Sequence, residues 1–310
     1  MAHDNVSVDP RSGFSNRNSI FYSKRKPLPL PSDESLDVTT FISSLAHHGK
    51  IAFIDASTGR HLTFPDVWRS VHLVATCLSE LGIRKGDVVL LLSPNSIFFP
   101  VICLSVMSLG AIVTTLNPLN TTQEIRKQMA DSKPVLAFTT RPLLPKLSGT
   151  DLPIVLIGEG DNSSGNGVNI ISSLEDMMKK EPSGSRIKER VSQYDTATLL
   201  YSSGTTGASN GVVSSHRNLI AMVQSIVARR PLEEGEQTFI CTVPMFHIYG
   251  LATFALGMIA CGSTVVVLPK FDMHEMLSAI PTYRVTYLPL VPPILVAMIN
   301  SADMIKANTI

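Results

Sequence analysis

The chain has 310 residues, 26 basic and 25 acidic side chains giving a formal net charge of +1, and 44% hydrophobic residues. That length holds one large domain or roughly two ordinary ones, with ample apolar material for a buried core. A near-neutral charge dispersed along the sequence offers a nucleic-acid backbone little to hold, so no nucleic-acid partner is expected.

Residues 1–36 are polar and spotted with proline, lack the apolar stretch of a secretory signal, and read as a flexible tail in which Lys24, Arg25 and Lys26 are solvated. Thr63 is placed as a helix N-cap with Asp66 three residues on; Val67, Val71, Val74, Leu78 and Leu81 then share one helical face, and Gly82 stops the helix. Asp87 precedes a strand over 88–92. From Val88 to Gln123 there is no charged residue, and 97–116 is an apolar run of membrane-spanning length. Internal punctuation breaks that run: Pro94 and Pro100 bracket a helix start, Gly110 ends the helix, and 111–116 is β-branched. Strand, helix, strand buried in a parallel α/β core is therefore expected rather than a span.

Thr121 and Glu124 form a capping box for a helix ending before Pro134, followed by a strand over 135–138. Residues 158–168 read as a surface loop or flexible linker, and the polar stretch from there to Gln193 as loosely packed margin. Strand character returns at 196–201 and again at 211–213, after which Ser215 caps a helix beginning at His216. Within 248–268, Gly262 divides a helix from a strand over 264–268; Asp272 caps a helix through Ile280, and 285–288 reads as a strand. The alternation is that of βαβ units.

Cys77, Cys103, Cys241 and Cys261 lie in apolar surroundings without Cys-x-x-Cys spacing, so buried reduced thiols are expected and no metal site. His274-Glu275 begins a zinc-protease pattern, but Ser278 stands where the second histidine is needed. The sequence contains no internal repeat.

The stretch Y-S-S-G-T-T-G-A-S-N-G over 201–211 carries the most chemistry. Three glycines and several hydroxyls make a loop whose backbone N–H groups can converge on a polyphosphate, and it lies between strands. Neither Gly204 nor Gly207 has the downstream glycine-lysine pair of a Walker loop, no G-x-G-x-x-G occurs, and Ser202 and Ser203 lack the flanking glycines of a hydrolase elbow. Composition alone also allows a plain Gly/Ser/Thr turn.

The residue order Y-S-S-G-T-T-G, then G-V, then S-H-R-N-L, resembles the phosphate-binding signature of the adenylate-forming superfamily of acyl-CoA synthetases, luciferases and peptide-synthetase adenylation domains. Within it the chain is similar to the plant 4-coumarate:CoA ligase-like branch. Further matching stretches, in collinear order from about residue 20 to about residue 306, are I-F-Y-S-K-R at Ile20, L-G-I-R-K-G-D-V-V at Leu81, S-P-N-S at Ser93, N-P-L-N at Asn117, V-P-M-F-H-I-Y-G at Val243, P-K-F-D at Pro269 and P-L-V-P-P at Pro289.

The resemblance implies a multilayered α/β fold, the large N-terminal domain of adenylate-forming enzymes, incomplete here, with parallel sheets flanked by helices. It implies activation of a carboxylic acid by ATP to an acyl-adenylate, then transfer to coenzyme A, with Mg2+ as a further cofactor whose ligand lies outside these residues. Ser202, Ser203, Gly204, Thr205, Thr206 and Gly207 match the family's ATP loop. His247 matches the histidine that steers the carboxylate or adenylate and is the catalytic candidate; Tyr249 would wall the acyl pocket, and Lys270 matches a coenzyme A position. Without the resemblance, His247 would read as a hydrogen-bonded core residue and Lys270 as a solvated surface lysine.

Two departures bear on function. The family loop carries lysine before its last glycine, where this chain has Asn210, so weakened but not abolished nucleotide binding is expected. Measured against the family, 37–310 corresponds to part of the AMP-binding domain, without the C-terminal lid. The expected function is an ATP-dependent carboxylate:CoA ligase present as an N-terminal fragment incompetent for full turnover, with a non-catalytic isoform or gene remnant that binds nucleotide or acyl groups weakly as the alternative. The chain ends Asn308-Thr309-Ile310 in place of the Ser-Lys-Leu type signal that sends relatives to peroxisomes, so a cytoplasmic location is expected. The acyl substrate and the oligomeric state are not legible.

Overall fold

The computed structural model describes residues 8–45, 47, 49–158, 167–180, 189–203, 209–229, 236–302 and 305–306. Met1–Pro31 and Ser32–Ile310 are separate compact units. In the first, β1 (Phe14–Ser15) pairs antiparallel with β2 (Ile20–Phe21), the Phe14 and Phe21 rings lie 4.7 Å apart, and the Lys24 ammonium donates to the Arg11 carbonyl.

The second unit begins with α1 (Val38–Ser43), the hairpin β3 (Ile51–Asp55) and β4 (His61–Thr63), and α2 (Phe64–Glu80). It continues through β5 (Val88–Leu92), α3 (Phe99–Met107), β6 (Ile112–Thr115), α4 (Thr122–Ser132), β7 (Leu136–Thr140), a 3-10 turn over Arg141–Leu147, β8 (Pro153–Ile157), β9 (Asn169–Ser173) and α5 (Leu174–Lys179). Then come the hairpin β10 (Thr196–Ser203) and β11 (Ser209–Ser215), α6 (His216–Val227), β12 (Thr238–Cys241), and a helical stretch of α7 (Ile248–Gly250), a π-helical segment (Leu251–Gly257) and α8 (Met258–Ala260). β13 (Thr264–Val267), α9 (Met273–Thr282) and α10 (Pro292–Asn300) follow.

Two sheets result, in the order β11-β10-β6-β5-β7-β8-β9 and β12-β13-β3-β4. β10 to β9 run parallel and only β11 is antiparallel; in the smaller sheet only β4 is. Because strand side chains alternate, Val89 and Leu91 enter one apolar cluster while Leu90 and Leu92 enter another beneath α4 and the 3-10 turn. The first cluster also takes Val265 and Val267 of β13, whose Val266 faces α9. A layer of helices therefore lies between the two sheets, and each sheet carries further helix on its other side, giving the multilayered arrangement expected from the sequence.

The uncharged run is explained by this layering. All nine residues of α3 are buried, in contact with α2 and β6, and its polar groups are satisfied: Ser105 Oγ donates to the carbonyls of Val101 (2.7 Å) and Val71 (3.1 Å). A helix apolar on every side is stable in water only when enclosed. Among the described residues no helix is long and apolar enough to cross a membrane. The four cysteines are free and buried, as expected, and no group of three or more His, Cys, Asp or Glu side chains that could hold a metal ion occurs among the described residues.

Local signals placed several elements well. Both capping boxes form, Thr63 with Asp66 and Thr121 with Glu124, and β5 occupies the expected residues. Other expectations need correction. Leu81 lies past the end of α2 and is 46% exposed, because the helix closes at Glu80. No strand forms over 285–288: the N–H groups of Thr286 and Tyr287 both go to the Thr238 carbonyl, so only an isolated parallel bridge from Tyr287 to Phe239 remains. Residues 169–179 are not loose margin. β9 pairs with β8, and Leu174 and Met177 are buried against α2, an i, i+3 pair concealed among polar neighbours. Most of the expected surface loop over 158–168 lies outside the described residues.

Two buried polar side chains hold the layers together. Asn95, in the turn after β5, donates through Nδ2 to the carbonyls of Val243 (2.9 Å) and Leu268 (3.1 Å), accepts from the Met245 N–H at 2.7 Å, and donates its own N–H to the Pro269 carbonyl. It joins the larger sheet to the segments that leave β12 and β13. His216 is fully buried at the start of α6, and its Nδ1 accepts from the Val38 N–H at 3.2 Å, which places its proton on Nε2. Burial holds this imidazole below its ordinary 6.5, against Asp37 and Asp195, which pull the other way, and with Lys85 adding to the depression.

Asn95→Ala strands the Met245 N–H and two carbonyls, and each buried group left unpaired costs roughly 1–3 kcal/mol, so the urea midpoint is expected to drop well beyond the ~1 kcal/mol of an average substitution. An unchanged midpoint would show that the amide carries no structural load. The unfolded chain takes up a proton on His216 near 6.5 and the folded chain only at lower pH, so stability is expected to fall as pH drops below that value. Denaturant titrations from pH 7.5 to 5 should show this loss, reduced in His216→Asn, whose amide oxygen can accept from Val38 without titrating.

Candidate functional site

The hydroxyl- and glycine-rich stretch closes the β10–β11 hairpin. Leu200 pairs with Val212, Tyr201 with Gly211, Ser202 with Asn210 and Ser203 with Ser209. Of the expected phosphate-binding residues, Ser202 is exposed at the end of the stem, and Gly204, Thr205, Thr206 and Gly207 lie outside the described residues. Asn210 stands directly opposite Ser202, so the residue occupying the family's lysine position shares a face of the hairpin with the first loop hydroxyl.

β10 reaches this position beside β6. Their parallel pairing runs Thr198 to Val113, Leu199 to Thr114 and Leu200 to Thr115, and Thr114 Oγ1 donates to the Leu199 carbonyl at 2.7 Å. β6 and β7 lie on opposite sides of β5, so the strand order reverses between β5 and β7; open α/β sheets bind ligands outside the carboxyl ends of the strands at such a point, and the ends of β6 and β10 open on that same edge. Thr115 is the last residue of β6, and its hydroxyl donates to the Phe246 carbonyl at 2.5 Å. The hairpin stem and the segment carrying His247 are thereby tied to one residue.

His247 is exposed, which removes the core-histidine reading. It takes the N-cap position of α7, with its N–H donating to the Pro244 carbonyl at 3.3 Å and its carbonyl accepting from Leu251. Gly250 makes that turn sterically feasible, since a Cβ there would overlap the Pro244 carbonyl. Tyr249 is 38% exposed and meets Phe254 edge to face with centroids 6.4 Å apart. The helix then widens into its π-helical turn, a feature enriched at functional sites. Lys270 is exposed just beyond β13, and the Pro269 and Leu268 carbonyls next to it are held by Asn95, the residue that also holds Val243 and Met245.

The structure thus links all the described candidates through Thr115 and Asn95, neither of which the sequence reading named as functional. Asn95 lies in the S-P-N-S match, a signal that could have found it; Thr115 carries no local signal. A cavity of about 630 Å³ opens elsewhere, between Asp37, Thr40, Trp68, His72, Glu189 and Arg190, and none of the predicted site residues lines it.

Near the loop, the Tyr201 hydroxyl donates to Asp131 Oδ2 at 2.5 Å, and burial together with that carboxylate pushes the phenol up to about 12. The donor set at the hairpin is therefore hydroxyl and amide rather than ionisable, which suits oxygens already carrying negative charge.

Comparison with known proteins bears on the family and the fold. The chain is 69% identical over 302 residues to a "Probable CoA ligase" of Humulus lupulus, covering 97% of this chain and 55% of that protein. It is 70% identical over 305 residues to a "Peroxisomal OPC-8:0-CoA ligase" of Arabidopsis thaliana, covering 98% and 55%. The chain thus spans about half the length of these relatives. Among solved structures, the red emitting luciferase of Phrixothrix hirtus superposes with a TM-score of 0.73 at 22% identity, covering 88% of this chain and 68% of that one, and a fatty acyl CoA synthetase of Mycobacterium tuberculosis with 0.69 at 24%, covering 84% and 50%. These two share the fold. Residues 43–309 match the family described as AMP-binding enzyme. With that match over most of its length, the chain belongs to the AMP-binding enzyme family.

Proposed function

We propose that this chain forms the nucleotide- and acid-binding part of an ATP-dependent carboxylate:CoA ligase, which joins an acid to AMP with release of pyrophosphate and then passes the acyl group to the thiol of coenzyme A. The observation that carries this reading is the placement of the β10–β11 hairpin and the exposed His247 at the carboxyl ends of β6 and β10, tied through Thr115, in a chain of the AMP-binding enzyme family. The relatives named as CoA ligases support the reaction class.

In this reading Ser202, Ser203, Gly204, Thr205, Thr206 and Gly207 hold the β- and γ-phosphates of ATP. Attack of a carboxylate on the α-phosphate brings anions together, and hydroxyl and N–H donors fixed around the leaving pyrophosphate offset that repulsion. His247 orients the carboxylate or the adenylate, Tyr249 walls the acyl pocket, and Lys270 meets coenzyme A. Mg2+ would supply further charge compensation on the phosphates.

Asn210 replaces a cation with a neutral amide opposite Ser202. Two unit charges 4 Å apart attract by about 1 kcal/mol in water and about 4 kcal/mol near a protein surface. For an exposed loop the lower end applies, so Asn210→Lys is expected to tighten ATP binding about fivefold to tenfold in calorimetric titrations. No gain would count against this role for the position. For the reaction, pyrophosphate exchange with a panel of hydroxycinnamic acids, fatty acids and OPC-8:0 is the test. Acid-dependent exchange supports the ligase; a flat panel with ATP binding intact would leave only a nucleotide-binding module.

A further inference from the structure

We propose that the Tyr201 hydroxyl and the Asp131 carboxylate form a positioning clamp that fixes the stem of the phosphate-binding hairpin and thereby sets its affinity for nucleotide. The inference rests on the ATP-binding reading above and deepens it.

The support that β10 receives from β6 ends at the Leu200 to Thr115 pair, so Tyr201 is the first residue beyond it. From there the described strand pairing of the stem is with β11 alone, itself the edge strand, with Val212 and Val213 half-exposed or more. At that residue the Tyr201 side chain reaches out of the sheet to α4. Its hydroxyl lies 2.5 Å from Asp131 Oδ2 and 3.4 Å from the Gln128 carbonyl. Gly211, opposite Tyr201, lies beside the pair: a Cβ there would sit in ordinary contact with Tyr201 Cε1 (3.7 Å) and Asp131 Oδ2 (3.8 Å) and tightly against Leu199 Cδ1 (3.1 Å). A ring lying over a cross-strand glycine also covers backbone that the edge strand would expose.

Asp131 is otherwise poorly placed. It sits in the last turn of α4, where the helix macrodipole disfavours a carboxylate and where aspartate is a weak helix former. A local choice that opposes its own element and is matched by a short bond to a distant one marks a position set by tertiary need. The bond joins residues 70 apart in sequence, at the entrance to the residues that grip phosphate. Freed from it, the stem would pivot at Leu200, and loop donors would have to be ordered by the ligand at the expense of affinity.

The test uses the whole 310-residue chain with Tyr201→Phe, Asp131→Ala, Asp131→Asn and the double variant Tyr201→Phe/Asp131→Ala. Two readouts are taken: hydrogen exchange at the amides of residues 202, 203, 209 and 210, and calorimetric titration with ATP. Tyr201→Phe and Asp131→Ala should each speed stem exchange about tenfold and weaken ATP about threefold to tenfold, with little change in the urea midpoint. Asp131→Asn, still an acceptor, should retain most of both, and the double variant should be no worse than either single one. Unchanged stem exchange, or a loss of protection spread over the whole larger sheet with a lowered midpoint, would overturn the clamp. If the unsubstituted chain takes up no ATP, the functional reading fails, and the exchange measurements still decide whether the pair holds the stem.

Discussion

A helix with no polar face has to be surrounded, and Phe99–Met107 is such a helix. The larger sheet covers one side of it through β6, and α1, α2 and the π-helical segment pack around it, so the helix layer as a whole has a far side that a second sheet can cover. The chain provides one by folding the hairpin Ile51–Thr63 and the strands at 238–241 and 264–267 into a separate, smaller sheet whose inward residues join the same apolar cluster. Within this layering all nine residues of the segment are buried. Parallel strands then deliver their carboxyl ends to a common edge, and the loops leaving that edge carry the candidate site.

The joints between the layers are polar and few. Asn95 satisfies partners on two segments from the smaller sheet with a single side chain, so the segment carrying His247 and the one carrying Lys270 share a common anchor. Threonine hydroxyls do comparable work along the larger sheet: Thr114 to Leu199, Thr115 to Phe246 and Thr139 to Leu92. Inside an apolar setting such bonds matter chiefly because leaving them unmade is expensive. They fix direction as much as they add stability, since the apolar clusters around them would tolerate small slides that a hydrogen bond forbids. At the stem of the candidate hairpin the pairing with β6 ends at Leu200, and the next residue, Tyr201, bonds to Asp131 of α4.

What was legible in the sequence follows from range. The capping boxes of Thr63 with Asp66 and Thr121 with Glu124 are complete within four residues, and the structure contains both. Pro100 and Gly110 broke up the uncharged run correctly, because their backbone demands are local. The small helix at 38–43 and the strand at 153–157 were not foreseen; the first is rich in β-branched residues, and the second is recognisable only once a neighbour strand is known. The site divides in the same way. His247, Tyr249, Lys270 and the loop were read from contiguous motifs, whereas Asn95, Thr115 and Asp131 act on residues 70 to 173 positions away, and of the three only Asn95 sits in a matched motif.

The widened turn at 251–257 has a consequence for how this segment tolerates change in length. A π-helical turn accommodates one residue more than the α-helix around it. Loss of any one residue there would let the backbone relax into ordinary α geometry without breaking the helix. Because the wide turn already absorbs the additional residue, the flanking turns would keep nearly their present phase, whereas a one-residue change in an ordinary α-helical turn rotates its two sides by about 100°. Phe254 to Ala260 are locked into the interior, so a rotation of that size would fall on His247 and Tyr249, and the slack in the turn is what spares them. The widened turn therefore acts as slack that keeps the fold and the exposed histidine in phase.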